Sequence, residues 1–234
     1  MYKLRLYQST PYSCSYLPNK TAHHYATYPH QVLNTDIHSL LINMGFRRSG
    51  HGIYKPNCLN CHQCISLRIP VKKFTPSHSQ SRILSKNSDL DIQIITSPNY
   101  EEYFELYQRY IEHRHDNNEN MTNVEDTFNN FFFSMWSETF LIEYRLLSGE
   151  LICVAICDPV KQGWSAVYTF FDTDYSKRSL GTFSILKQIE LLQSETLDYL
   201  YLGYWIEDCT KMNYKTNFKP CEKFINEKWV EHHG

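Results

Sequence analysis

The stretch Gly163-Trp-Ser-Ala-Val-Tyr-Thr-Phe-Phe-Asp-Thr-Asp-Tyr-Ser-Lys-Arg-Ser-Leu-Gly181 decides the fold. Its first half is an alternating aromatic run, which predicts a strand. A polar, hydroxyl-rich turn follows. Beyond it, residues 182–194 place Ile185, Leu186, Ile189 and Leu192 on one face, which predicts a helix. The first turn of such a helix carries unpaired N–H groups and a positive dipole end. Gly181 lets the backbone approach a ligand, and Ser176, Lys177, Arg178 and Ser179 add donors. These residues therefore predict a holder for a phosphate or for the oxyanion of an acyl-transfer intermediate. A capped helix with solvated charges is the plain alternative.

Outward from this segment, residues 139–147 and 151–158 read as strands joined by a Ser148-Gly149-Glu150 turn, and 199–204 as another strand. Ser97-Pro98 starts a helix running through Ile111. Residues 116–123 read as a polar loop and 128–136 as an aromatic helix. Nearer the start, Asn34 or Thr35 caps a helix striped by Ile37, Leu40, Leu41 and Met44, ending at Gly45. Short strands are expected at 52–54, 66–71 and 90–94. The order predicts a mixed α/β (α+β) acyltransferase-like unit. A boundary near Lys86 would divide a basic, cysteine-bearing domain, 1–85, from a transferase domain, 86–234.

The 234 residues are 42% hydrophobic, enough for a sizeable core, and include 18 tyrosines. No stretch approaches the roughly 18 apolar residues of a membrane helix, and no leader pattern is visible, so a cytoplasmic location is expected. Net charge is −2, but residues 44–88 hold eight basic residues and no acidic one. Arg47, Arg48, Lys55, Arg68, Lys72, Lys73, Arg82 and Lys86 together predict a phosphate-facing surface.

Cys58-x-x-Cys61-x-x-Cys64 has the two-residue gaps that aim successive sulfurs at one centre. With Cys14 as the fourth ligand, the set suits an iron–sulfur cluster or zinc; His51 and His62 are substitutes, and buried thiols are the alternative. Cys153 and Cys157 read as core, and Cys209 and Cys221 show no spacing signal. Tyr204, Lys211 and Lys215 follow a strand, with the two lysines spaced i, i+4 as a candidate anion clamp. His113 and His115, flanking Arg114, read as a polar helix end. No nucleophile elbow, Walker loop or dinucleotide fingerprint is present.

Seven pieces carry a resemblance in order along nearly the whole chain: Cys14-Ser-Tyr-Leu-Pro18, Met44-Gly-Phe-Arg-Arg-Ser-Gly50, Ile53-Tyr-Lys-Pro-Asn-Cys58, Leu67-Arg-Ile-Pro70, Ala166-Val-Tyr-Thr-Phe-Phe171, Arg178-Ser-Leu-Gly181, and Tyr201-Leu-Gly-Tyr-Trp-Ile206 followed by Lys211-Met-Asn-Tyr-Lys215. On them the chain resembles the bacterial, leucyl-transferring branch of the arginyl-tRNA–protein transferase family. The resemblance implies a GNAT-type acyltransferase fold. It also implies transfer of leucine from leucyl-tRNA to proteins beginning with Asp or Glu, which marks them for degradation. An arginyl-tRNA donor and an acyl-CoA-dependent N-acyltransferase are the alternatives.

The ester donor is already activated, so the chemistry requires neither protein nucleophile nor cofactor. Under this resemblance Tyr168 and Asp172 flank the reacting groups. Ser176, Arg178, Ser179, Gly181, Tyr204, Lys211 and Lys215 hold the tRNA end. Arg47, Arg48 and Arg68 are candidates for the acceptor's carboxylate. The family's second N-terminal cysteine is replaced here by Leu17, and His62 follows Cys61 where a Cys-Cys pair would stand.

Overall fold

Gly163 shows how tightly the central strands meet: a Cβ built on it would lie 1.7 Å from the Tyr199 carbonyl oxygen, so only glycine fits. The computed structural model describes residues 4–29, 31–114, 124–132 and 134–232; His115 and the expected loop 116–123 fall outside them. In chain order the elements are β1 (Leu6–Gln8), β2 (Tyr12–Ser13), β3 (Thr21–Ala22), β4 (His24–Thr27), α1 (Thr35–Asn43), β5 (Arg47–Ser49), β6 (Gly52–Pro56), β7 (Ile65–Pro70), α2 (His78–Lys86), β8 (Asp91–Ile95), α3 (Tyr100–Arg114), α4 (Val124–Phe132), β9 (Phe140–Arg145), β10 (Leu151–Val160), β11 (Gly163–Phe171), α5 (Leu180–Ser194), β12 (Tyr199–Trp205), α6 (Thr210–Asn213), β13 (Cys221–Ile225) and β14 (Lys228–His232).

An eight-stranded sheet in the order β14-β13-β7-β12-β11-β10-β9-β8 forms the centre. Its pairs are antiparallel except β11 with β12. On one face, Leu180, Phe183, Leu186 and Ile189 of α5, with Ile83 and Leu84 of α2, cover Ile142, Tyr144, Ala155 and Leu202. On the other, α3 and α4 bring Tyr103, Tyr107, Tyr110 and Phe128 onto Leu141, Val154, Ile156 and Phe170. A four-stranded sheet, β1-β4-β6-β5, packs with α1. The expected mixed α/β class and its strand–turn–helix centre are therefore present.

The structure differs in several places. Although β7 and α2 precede the expected division at residue 86, β7 is an inner strand of the large sheet and α2 packs beside α5. The α1 stripe is rotated: Leu40 and Met44 are exposed, while His38, Ser39 and Ile42 are buried. Packing against β10 and β12 sets that face, through Ser39 accepting from the Lys161 N–H and Asn43 accepting from the Tyr201 hydroxyl. The second aromatic helix begins four residues early because Glu125 and Asp126 suit its positive end. Residues 78–86, for which no element is expected, form α2, whose Ser77–Gln80 capping box starts it.

Candidate active site

β11 and β12 are hydrogen-bonded only where residues 163–165 face 199–201; beyond this they part towards their carboxyl ends. Ligands of open sheets bind at such places. Arg47 of β5 reaches into the gap. Its Nη2 donates to the Val167 carbonyl of β11 at 2.5 Å. On the other side lies Gly203 of β12, at φ +71°; a Cβ there would sit 2.6 Å from Arg47 Nη1. Glycine thus makes room for the guanidinium, which is only partly buried.

Strand pairing explains why Arg47 points this way. Tyr7, Ala26, Tyr54 and Arg47 are successive cross-strand partners across β1, β4, β6 and β5, so they share one face. Tyr7, Ala26 and Tyr54 line a cavity of about 710 Å³, and Arg47 is the end of the row. The cavity floor is electrically coupled to that end: burial raises the Tyr16 and Tyr54 phenols, and the Arg47 charge partly opposes it. Tyr54 stands edge-on to both His24 and Tyr204, linking the cavity wall to β12.

Cys14, Cys58 and Cys64 line the same cavity. Cys14, Cys61 and Cys64 pack with Leu17, Ile206 and Cys209. Burial pushes the Cys64 thiol up to about 12, with the neighbouring Cys58, Cys14, Cys61 and Cys209 adding to the rise. The expected thiols are thus neighbours, joined by Cys209, which sequence spacing did not reveal. Among the described residues, however, no three or more His, Cys, Asp or Glu side chains are arranged to hold a metal ion. The donor type fits zinc or an iron–sulfur cluster; the arrangement is not a formed ligand set.

The other expected site residues divide. Tyr168, on the α3 side of β11, stands edge-on to Tyr107 and Tyr110. Asp172, the residue after β11, is largely buried; its Oδ1 accepts from the Asp174 N–H at 2.9 Å, and Arg109 lies 3.4 Å from Oδ2. Ser176 is exposed, and Arg178 makes a bidentate pair with Asp89, both bonds 2.8 Å. Ser179 takes the left-handed conformation and gives α5 no side-chain cap. Gly181 has no positive φ; the left-handed residue of this turn is Ser179.

Four expectations are corrected. Tyr204 is 1% exposed and its hydroxyl donates to the carbonyls of Gly45 and Tyr54, which leaves nothing for a phosphate. Lys215 turns inward and donates to the Tyr204 carbonyl at 2.6 Å, while Lys211 faces solvent; α6 ends before the two can align. Burial, then the Arg47 charge, pulls the Lys215 pKa well below its ordinary value. Arg48 is buried against Asp158 at 2.5 Å. Arg68 is stacked between Tyr199 and Trp229 and bound to Glu222. Of the three arginines offered for the acceptor, Arg47 alone reaches the gap between β11 and β12. The basic block is not one surface either: Lys72 and Lys73 also find acids, Asp198 and Glu231.

Residues 12–82 match the family description "Arginine-tRNA-protein transferase, N terminus", and residues 102–225 match "Arginine-tRNA-protein transferase, C terminus". The chain belongs to the arginine-tRNA–protein transferase family. Within it, the chain is 43% identical over 228 residues to an aspartate/glutamate leucyltransferase of Saccharophagus degradans, covering 97% of each chain. It is 44% identical to one of Pseudomonas putida strain GB-1, again over 97% of each. Among solved structures it is similar to L-PGS from Bacillus licheniformis, with a TM-score of 0.48 at 10% identity, covering 71% of this chain and 51% of that one. A fungal GCN5-related glucosamine N-acetyltransferase region gives a TM-score of 0.46 at 10% identity, covering 88% of this chain and 24% of that one.

In this family member, Tyr54, Gln31 and Trp136, which line the cavity, and Cys209, which packs with the other thiols, are residues that sequence reasoning passed over. None belongs to a motif with chemistry of its own. Tyr54 could have been found only through its place inside the matched piece Ile53–Cys58.

Proposed function

We propose that the protein transfers leucine from leucyl-tRNA to the α-amino group of proteins beginning with Asp or Glu, marking them for degradation in the cytoplasm. The observation that carries this reading is Arg47 in the gap between β11 and β12, at the end of a row that lines a large cavity, in a chain so similar to aspartate/glutamate leucyltransferases. The phenols of the cavity, Tyr16 and Tyr54, are pushed up by burial, so neither is an ionised nucleophile at neutral pH.

The reaction is then direct aminolysis. The neutral α-amine of the acceptor attacks the ester carbonyl carbon. A C–N bond forms, the bond from that carbon to the ribose 3′-oxygen breaks, and the ammonium proton is lost as the 3′-oxygen gains one. An α-amine pKa of roughly 8 leaves a useful neutral fraction. The protein's contribution is positioning and charge stabilisation. Arg47 takes the acceptor's acidic side chain, since a guanidinium matches a carboxylate and this one has donors beyond its bond to Val167. Tyr168 and Asp172 flank the reacting groups from β11, with Asp172 as orienting group or proton acceptor. The uncapped start of α5, with Ser176, Arg178, Ser179, Gly181 and outlying Lys211, receives backbone phosphates of the aminoacyl-tRNA.

The same reading lets Cys14, Cys58, Cys61 and Cys64 take zinc or an iron–sulfur cluster, which would brace the cavity wall; thiol donors in mutual proximity support it. Metal analysis and the visible spectrum of anaerobically purified protein test this.

The deciding experiment incubates the protein with leucyl-tRNA or arginyl-tRNA and peptides beginning with Asp, Glu or Ala, read by mass spectrometry. Leucine added to the Asp and Glu peptides alone is the expected result. Arginine addition, or equal modification of the Ala peptide, overturns it.

A further inference from the structure

The 710 Å³ cavity is of the size used for small-molecule recognition, roughly 300–1,000 Å³. Its lining is unusual for a protein that handles an acidic acceptor and a polyanionic donor: among the described residues it includes no Asp, Glu, Lys or Arg. Its walls are instead rings, among them Tyr7, Tyr12, Tyr28, Tyr54 and Trp136. They are held in place by contacts within the same wall. The Tyr12 hydroxyl meets His24 Nδ1 at 3.1 Å, His24 stands edge-on to Tyr54, and the Trp136 Nε1 donates to the His51 carbonyl at 2.8 Å. One polar atom is left over. Gln31 lines the cavity with its Oε1 engaged by the Arg5 N–H, while its Nε2 is buried without a partner among the described residues. A buried amide donor left unmade is costly, and a ligand acceptor would relieve it.

We propose that this cavity is the donor pocket, taking the 3′-terminal adenosine of the charged tRNA together with an uncharged aminoacyl side chain. The inference rests on the aminoacyl-tRNA reading above and assigns that reading's donor. Unstacked bases are held on aromatic side chains, and adenine ring nitrogens are acceptors for an amide N–H such as that of Gln31. An acidic acceptor residue is the wrong occupant, because among the described residues no Lys or Arg lines the space to pair with its carboxylate. The lining also discriminates between donors. A leucyl side chain enters with nothing unpaired, whereas an arginyl guanidinium would lose its water and meet no carboxylate. The row Tyr7–Ala26–Tyr54–Arg47 then runs from this pocket to the gap where Arg47 awaits the acceptor, so donor and acceptor approach from opposite ends.

The test uses 3′-deoxy-3′-(leucylamino)adenosine, whose amide replaces the labile ester, titrated calorimetrically into the full-length protein beside its arginyl counterpart. The leucyl compound is expected to bind at least tenfold more tightly than the arginyl one. Ala26→Trp, which fills the cavity, should lower that affinity at least tenfold, and Gln31→Leu several-fold. Tyr12→Ala, at an exposed ring on the rim, serves as the variant certain to tolerate folding and should also weaken binding. In none of these variants should the KM for an Asp-initiated peptide change. Unaltered analogue affinity in folded Ala26→Trp and Tyr12→Ala, equal affinity for the two analogues, or loss of peptide binding instead, would each overturn the assignment. If the wild type transfers leucine from leucyl-tRNA yet shows these outcomes, the pocket assignment alone has failed. If it transfers from neither charged tRNA, the functional reading has failed.

Discussion

Replacing Gly203 by alanine should act through Arg47, and the size of the effect follows from the geometry. At φ +71° an L-residue costs about 1–2 kcal/mol. The added Cβ would also lie 2.6 Å from Arg47 Nη1 and 3.0 Å from its Cδ and Cζ, so the guanidinium must leave. That breaks its bond to the Val167 carbonyl, a charge-assisted hydrogen bond worth about 1.5–3 kcal/mol. Gly203→Ala alone should therefore lose about 2.5–5 kcal/mol. In an Arg47→Ala background the clash is gone and only the backbone cost of about 1–2 kcal/mol remains. The double variant should then be more stable than the sum of the two single effects predicts, by about 1.5–3 kcal/mol. Urea unfolding followed by circular dichroism, with the slope unchanged between variants, measures this. Transfer activity provides a second reading: Gly203→Ala should be as impaired as Arg47→Ala, and the double variant no worse. Coupling below about 0.5 kcal/mol would mean that Gly203 does not make room for Arg47.

Three further outcomes follow from buried groups. Asp158→Asn leaves Arg48 without its carboxylate in a site where both side chains are fully buried, and should cost about 3–5 kcal/mol. A thermal-melt shift of less than about 2 °C would contradict that. Tyr204→Phe deprives two carbonyls of their donor and should lose about 1–3 kcal/mol, while the salt dependence of tRNA binding keeps its slope; a shallower slope would return Tyr204 to the phosphate contacts. Lys215 has a folded pKa far below its unfolded one, so between them the unfolded chain holds the extra proton and stability rises with pH towards about 10.5. Lys215→Met should flatten that rise in a series of unfolding curves at increasing pH, and a slope identical to that of the wild type would show Lys215 charged in the fold.

The charge pattern marks the limit of local reading. A run of eight cations without an acid looks like a docking face because nearby sequence offers no counterion. In the fold, Asp158, Asp198, Glu222 and Glu231, all distant along the chain, come to Arg48, Lys72, Arg68 and Lys73. The i, i+4 spacing of Lys211 and Lys215 failed for a related reason: a side-chain spacing has meaning only if the helix continues, and α6 stops at Asn213.

Periodicity and turn chemistry determined the strand–turn–helix of residues 163–194, the hairpin at Gly149 and the order of the transferase elements, because these depend on neighbours along the chain. The ordered motif pieces determined the family. Tertiary structure alone decided which arginine reaches the gap between β11 and β12. Arg47 and Arg48 are adjacent, alike in type, and point to opposite faces of one strand. The pairing of β5 with β6 sends Arg47, beside Tyr54, to the parting of β11 and β12 and buries Arg48 on Asp158. The cavity is likewise a product of pairing. Its lining comes from segments spread between Tyr7 and Trp136, and no local pattern could bring them round one uncharged space.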